Sequence, residues 1–384
     1  MDPASAIHAF SDEDRVAATV ERIAAWARLE SPTRDADAVN AMMDLLVSEV
    51  EDEPVATERL PGRDGLGGSV ILRAGPENGR EPILLLSHLD TVHPIGTAEK
   101  DLPVGREGDR LYGPGVYDMK GGACLALEAF VEVARRGTSA RPLVFLFTPD
   151  EEIGSITTRG LIEDLGRSAA AVLVTEPARD GGRVVTSRKG VGRFDIAVEG
   201  RPAHSGSRHH DGRNAIHEAA RQIALIDAMT DYQRGVTTTV GLISGGTAMN
   251  TVPQHCRFSV DLRVVSVADG EEFAAQLKGL TPLAPDFKVR VTGGMNRPPF
   301  EKTPQVEGLF ALAQEIGRDI GLAVADVPRT GGGSDGNFTA VLGVPTLDGL
   351  GIDGDGAHTL QEYALISSVA PRAKLIAGLL ERLR

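Results

Sequence analysis

Two histidines and a set of acids stand in contexts suited to holding a cation. His88 lies in SHLDTVHP, Asp118 in GPGVYDMKGG, Glu151 and Glu152 in TPDEEIGS, Glu176 in TEP and His358 in GAHTLQEY. Imidazoles with carboxylates form an N/O ligand set that suits zinc or another first-row divalent ion. No thiolate set competes, because Cys124 and Cys256 are the only cysteines and are far apart in sequence. His88 and Asp90 are two apart, so on a persisting strand their side chains leave the same side. One can then bind metal while the other accepts the second ring N–H and fixes the tautomer; from this triplet alone, a structural His–Asp pair is the commoner explanation. Asp118 falls in a glycine-rich turn before a helix, with a capping aspartate as the local alternative. The adjacent Glu151 and Glu152 repel each other unless cations or a shared proton compensate, and a solvated acidic turn is the other reading. Two cations about 3.5–4 Å apart need a shared anionic ligand to offset their repulsion.

The elements that must position these residues read as alternating α and β. SVILR, PILLLSH, PLVFLF and AAVLV are short apolar runs bounded by Gly, Pro and charged residues, the pattern of strands buried on both faces. His88, Glu151, Glu152 and Glu176 each follow such a run, and the carboxyl edge of an open α/β sheet is where ligands bind. Helices are predicted through Val16, Val20 and Ile23, with Ser11 and Asp14 resembling a capping box, and through Val39, Met42, Met43, Leu46 and Val50. CLALEAFVEVARR and TTRGLIEDLG are helix-compatible stretches between strands. Near Lys189 the pattern changes to the order βαββαβ, which predicts an α+β ferredoxin-like domain over residues 189–297 inserted into an α/β domain made of 1–188 and 298–384. After Pro299 follow a helix VEGLFALAQEIGRDIG, a glycine-rich loop TGGGSDGN, a strand-like VLGVPTLDG and a closing helix. That loop lacks the GKT or GKS ending of a phosphate loop.

At these residues the sequence resembles the co-catalytic dinuclear zinc peptidase family of carboxypeptidase G, aminoacylase, acetylornithine deacetylase and succinyl-diaminopimelate desuccinylase. SHLDTV, GPGVYDMKGG, TPDEEIGS, TEP, AHSG, RTGGGSDGN and GAHTLQEY occur in the family's order over nearly the whole chain, and Pro114 in GPGVYDMKGG favours its glutamate carboxypeptidase branch. The resemblance implies a zinc-peptidase-like catalytic domain with a mostly parallel sheet and an inserted lid and dimerisation domain. It implies two zinc ions, with manganese or cobalt as substitutes, one on His88 and Glu176, the other on Glu152 and His358, and Asp118 bridging them. Glu151 is then the general base that activates a metal-bridging water, and a cis peptide is expected after Asp118. His204 of the AHSG segment would serve the partner subunit's site. Asn250, Arg297 and Gly331, Gly332 and Gly333 match substrate-holding elements, and Arg183 aligns through a one-residue gap with a basic residue that grips glutamate.

The formal charge of −14 disfavours nucleic acid and anionic membrane surfaces as partners, and no stretch approaches a membrane span. Two isolated cysteines and the lack of a signal-peptide pattern at the start fit a reducing cytoplasm. The expected enzyme is a homodimeric hydrolase acting on a small peptide or N-acyl amino acid, at an amide bond next to a free carboxylate. The alternatives are an N-acyl-amino-acid deacylase and, from another class, a metal-holding binding protein without turnover.

Overall fold

The computed structural model describes residues 5–384, so the first four residues of the polar lead lie outside the described residues. Two compact units are present: one comprises the chain as far as Ser187 with Lys302–Arg329 and Ser334–Arg384, the other Arg188–Glu301 with Thr330–Gly333.

The first unit begins with helices α1 (Glu13–Arg28) and α2 (Ala36–Glu49), then strands β1 (Ala56–Leu60), β2 (Ser69–Ala74) and β3 (Ile83–His88). Helix α3 (Lys120–Arg136), strand β4 (Leu143–Thr148), helix α4 (Arg159–Arg167) and strand β5 (Ala171–Val174) follow. Asp12, not Ser11, caps α1: its side chain accepts the Asp14 N–H at 2.9 Å, and Ser11 ends a preceding 3-10 turn. The TTRGLIEDLG helix also starts late, at Arg159, because Thr157 and Thr158 bond the Asp150 carboxylate instead.

The second unit carries β6 (Gly190–Glu199), α5 (Ala215–Asp227), β7 (Thr237–Gly245), β8 (His255–Val264), α6 (Val267–Lys278) and β9 (Lys288–Arg297). Its antiparallel sheet has the order β7-β8-β6-β9. Alternate residues Phe194, Ile196 and Val198 of β6 and Phe258, Val260 and Leu262 of β8 face a core shared with α5 and α6, as a one-sided sheet requires. Strand β7 is an edge, and its Leu242 and Ile243 are exposed.

The chain then returns to the first unit with α7 (Pro304–Ile320), the short strand β10 (Thr346–Leu347) and α8 (Val369–Arg382). The strand-like VLGVPTLDG therefore contracts to two residues. The sheet order is β1-β2-β4-β3-β5-β10, with β4, β3, β5 and β10 parallel, β2 antiparallel to β4, and β1 antiparallel to β2. Both faces are covered. Leu72, Leu85, Phe145 and Leu173 join α1, α2, α3 and α8 in one core, while Leu84, Leu86, Val144 and Val172 pack with Ile162 of α4 in another. This is a mixed α/β fold around a mostly parallel sheet, and both free cysteines are buried.

Candidate metal centre

Strands β4, β3 and β5 lie side by side with Thr148 level with His88 and Val174 level with Leu86, so the segments after them leave the sheet at one edge. His88 ends β3, Glu151 and Glu152 open a 3-10 turn after β4, and Glu176 lies two positions beyond the end of β5. Asp118 precedes α3, whose N-cap residue is Met119 and has no side-chain cap, so the capping reading of Asp118 does not hold. Its peptide to Met119 is cis. Close packing here requires glycine: a Cβ on Gly122 would lie 2.1 Å from the Thr175 carbonyl oxygen, beside Glu176.

The carboxylate of Asp118 faces two imidazoles. Its Oδ1 lies 3.3 Å from His88 Nε2 and its Oδ2 3.5 Å from His358 Nε2. His88 Nε2 is also 3.7 Å from Glu176 Oε1, and His358 Nε2 is 3.1 Å from Glu152 Oε2. His88, Asp118 and Glu152 offer ligand atoms within 4.8 Å of one another, and so do His88, Glu151 and Glu176. Distance alone therefore groups Glu151 with the other acids. His88 Nε2 and Glu152 Oε1 are buried without a hydrogen-bond partner. Buried polar atoms are rarely left so, and bound cations would satisfy them. The donor set and its geometry fit one or more divalent ions.

Asp90 does more than the sequence suggests. Nδ1 of His88 is 2.9 Å from the backbone oxygen of Asp90 and 3.4 Å from its Oδ1, so carbonyl and carboxylate share the ring N–H. The same carboxylate accepts the N–H groups of Glu151 and Glu152, both at 3.2 Å, and the Thr33 hydroxyl at 2.7 Å. It thereby fixes the histidine and the acidic turn together. Asp335 acts likewise on the far side of the turn, accepting the hydroxyls of Thr148 and Ser155.

The charges are tightly balanced. Burial would push the Asp118 carboxyl up, but His358 and His88 hold it well below the usual carboxylate range. Burial would lower the His88 imidazole, yet Asp118 and Asp90 raise it well above its ordinary value. His358 is raised to about 11 by Asp118 and Glu152, and Glu152 is raised chiefly by burial.

Four residues near this cluster escaped sequence reasoning: Asp335, Arg179, His93 and Glu362. Arg179 turns through a tight hairpin, exchanging backbone bonds with Arg183 at 2.9 and 2.7 Å, and its Nη2 lies 3.9 Å from Glu176 Oε2. Arg183 itself is exposed, so it is Arg179 whose guanidinium reaches the cluster. No local pattern marks it.

The other expected residues lie in the second unit. His204 pairs with Thr251 in a short ladder, and Ser205 donates to the Asn250 carbonyl at 3.0 Å. His204 Nδ1 accepts the N–H groups of Gly206 at 3.1 Å and Ser207 at 3.2 Å, which places a neutral ring's proton on Nε2. Arg297 is buried at the end of β9, and a Cβ on Gly333 would come within 2.6 Å of its Cδ. The carbonyls of Gly331 and Gly332 accept from Arg263 at 3.2 Å and Arg188 at 3.3 Å.

Residues 84–382 match the model of peptidase family M20/M25/M40. The chain belongs to this family. The resemblance read from the motifs is thus borne out, and the protein is a hydrolase of the M20 metallopeptidase and amidohydrolase class. Carboxypeptidase G2 of Pseudomonas sp. (strain RS-16) is 28% identical over 380 residues, covering 97% of this chain and 90% of that protein. Succinyl-diaminopimelate desuccinylase of Cupriavidus necator is 28% identical over 343 residues, 84% of each chain. The M20 family metallo-carboxypeptidase Sso-CP2 from Sulfolobus solfataricus shares the fold, with a TM-score of 0.75 at 18% identity over 97% of this chain and 99% of that one. No helix among the described residues is long and apolar enough to cross a membrane.

Proposed function

We propose that this M20 hydrolase cleaves an amide bond adjacent to a free carboxylate, in the manner of a glutamate carboxypeptidase. The observation that carries the reading is the two-sided presentation of Asp118, with one oxygen toward His88 and the other toward His358. Asp118 would bridge two ions, His88 and Glu176 holding one, Glu152 and His358 the other. Divalent ions there, zinc by the donor chemistry, supply Lewis acidity to the scissile carbonyl and to the attacking water. Glu151, half-buried and oriented through its N–H by Asp90, takes the proton from the water and passes it to the leaving nitrogen. His204, with its proton on Nε2, is suited to donate to the developing oxyanion of a partner copy.

Pairing of two copies through the second unit is supported by the edge strand β7, where Leu242 is 71% and Ile243 58% exposed. Unpaired strand edges with apolar side chains invite such pairing. Similarity to carboxypeptidase G2 over almost the whole chain supports a C-terminal glutamate-like leaving group, whereas similarity to a desuccinylase supports N-acyl amino acids. Both share the chemistry. Zinc-loaded protein assayed against N-acyl glutamates, dipeptides with C-terminal glutamate and a series of other N-acyl amino acids decides between them. Preference for the C-terminal glutamate compounds is expected, preference for acyl-group variation would favour the deacylase, and no hydrolysis of any would overturn both.

A further inference from the structure

Glu362 lies four residues beyond His358, almost fully buried at 1% exposure. Its Oε1 accepts the backbone N–H groups of Tyr117 at 2.9 Å and Asp118 at 3.0 Å, and its Oε2 accepts that of Gly115 at 3.0 Å. His93 Nε2 stands 3.0 Å from the same Oε2. Both Glu362 oxygens already accept backbone N–H groups, so the His93 ring supplies the donor of this contact. One side chain thus ties three segments: the loop after β3 that leaves His88 and Asp90, the loop that carries Asp118, and the turn that carries His358.

We propose that Glu362, braced by His93, is a positioning residue that presets Asp118 to face His88 and His358 at once. This rests on the reading of Asp118 as a bridging metal ligand. Three N–H groups converging on one carboxylate fix the backbone of residues 115–118, and the orientation of the Asp118 side chain follows from that backbone. Neither Glu362 nor His93 offers an atom to the cluster. Their action is on ligand geometry, and such partners typically contribute 10–100-fold to metal affinity.

The test compares wild type with Glu362→Gln, His93→Ala and His93→Gln. An amide at position 362 turns one accepting arm into a donor facing N–H groups, whereas glutamine at position 93 keeps a side-chain N–H. Zinc affinity is measured by chelator competition, ligand geometry by the visible absorption of the cobalt-loaded protein, and fold integrity by melting of the metal-free protein. Glu362→Gln and His93→Ala are expected to lose about 10–100-fold in zinc affinity with an altered cobalt spectrum, and His93→Gln to recover both. Wild-type affinity and spectrum in Glu362→Gln, or equal behaviour of the two His93 variants, would overturn the proposal. If Glu362→Gln does not fold, the His93 pair decides. A wild-type protein that binds no metal would instead defeat the metal reading itself.

Discussion

At the scale of single residues, the cluster is a set of acids and imidazoles whose charges are settled only together. In the metal-free chain the His88 imidazole is held well above its ordinary value and His358 is raised to about 11. A cation entering the cluster therefore competes with protons for the two rings. Zinc titrated into metal-free protein is expected to release protons, with affinity falling as pH falls. Calorimetry in buffers of different ionisation enthalpy reads this directly, and an enthalpy independent of buffer would contradict it. The sign for stability follows as well. Raised folded-state values make the imidazole–carboxylate contacts of the metal-free fold fully stabilising below the unfolded histidine pKa of roughly 6.5. That contribution is lost as pH climbs toward about 11. That His88, Glu151, Glu152 and Glu176 come to one sheet edge was legible in the sequence, because His88 ends an apolar run and the three acids follow one. The residues that hold them were not. Glu362 bonds a glycine 247 positions away, and Asp335 bonds Ser155 across 180 positions. Contacts of that range leave no local pattern.

At the scale of elements, the buried strands declared themselves through unbroken apolar runs, and the second unit through period-two alternation. Boundaries were less legible where a side chain outside the pattern intervened, as Asp12 does at α1 and Asp150 before α4. The start of α3 shows how an element's packing serves the cluster. In an exposed helix interior, Gly→Ala stabilises by about 1 kcal/mol. At Gly122 the added Cβ would lie 2.1 Å from the Thr175 carbonyl oxygen and 2.9 Å from Gly351 Cα. Both are backbone atoms and cannot swing aside. Gly122→Ala is expected to destabilise the protein by about 1–3 kcal/mol, the usual cost of overpacking, and to weaken zinc binding through the shifted strand end beside Glu176. Urea unfolding with a parallel zinc titration checks both. A stabilised variant with wild-type zinc affinity would show that α3 is free to move away.

At the scale of the whole molecule, the chain is expected to work as a pair, with His204 of one copy serving the cluster of the other. His204→Ala should lower kcat by about 10²–10³, as loss of an oxyanion donor does, without loss of metal. Mixing His204→Ala chains with Glu151→Gln chains, each nearly inactive, creates heterodimers with one site lacking both groups and one intact. Partial recovery of activity is expected, and none, despite demonstrated subunit exchange, would confine His204 to its own chain. The Glu151→Gln chains of that mixture also provide the most direct test of a two-ion hydrolase with a carboxylate base, by elemental analysis and turnover on one preparation. The expected result is about two metal ions per chain with kcat lowered by at least ~10²–10⁴-fold. Near-wild-type kcat would remove Glu151 as the base, and loss of a metal ion would make it a ligand instead.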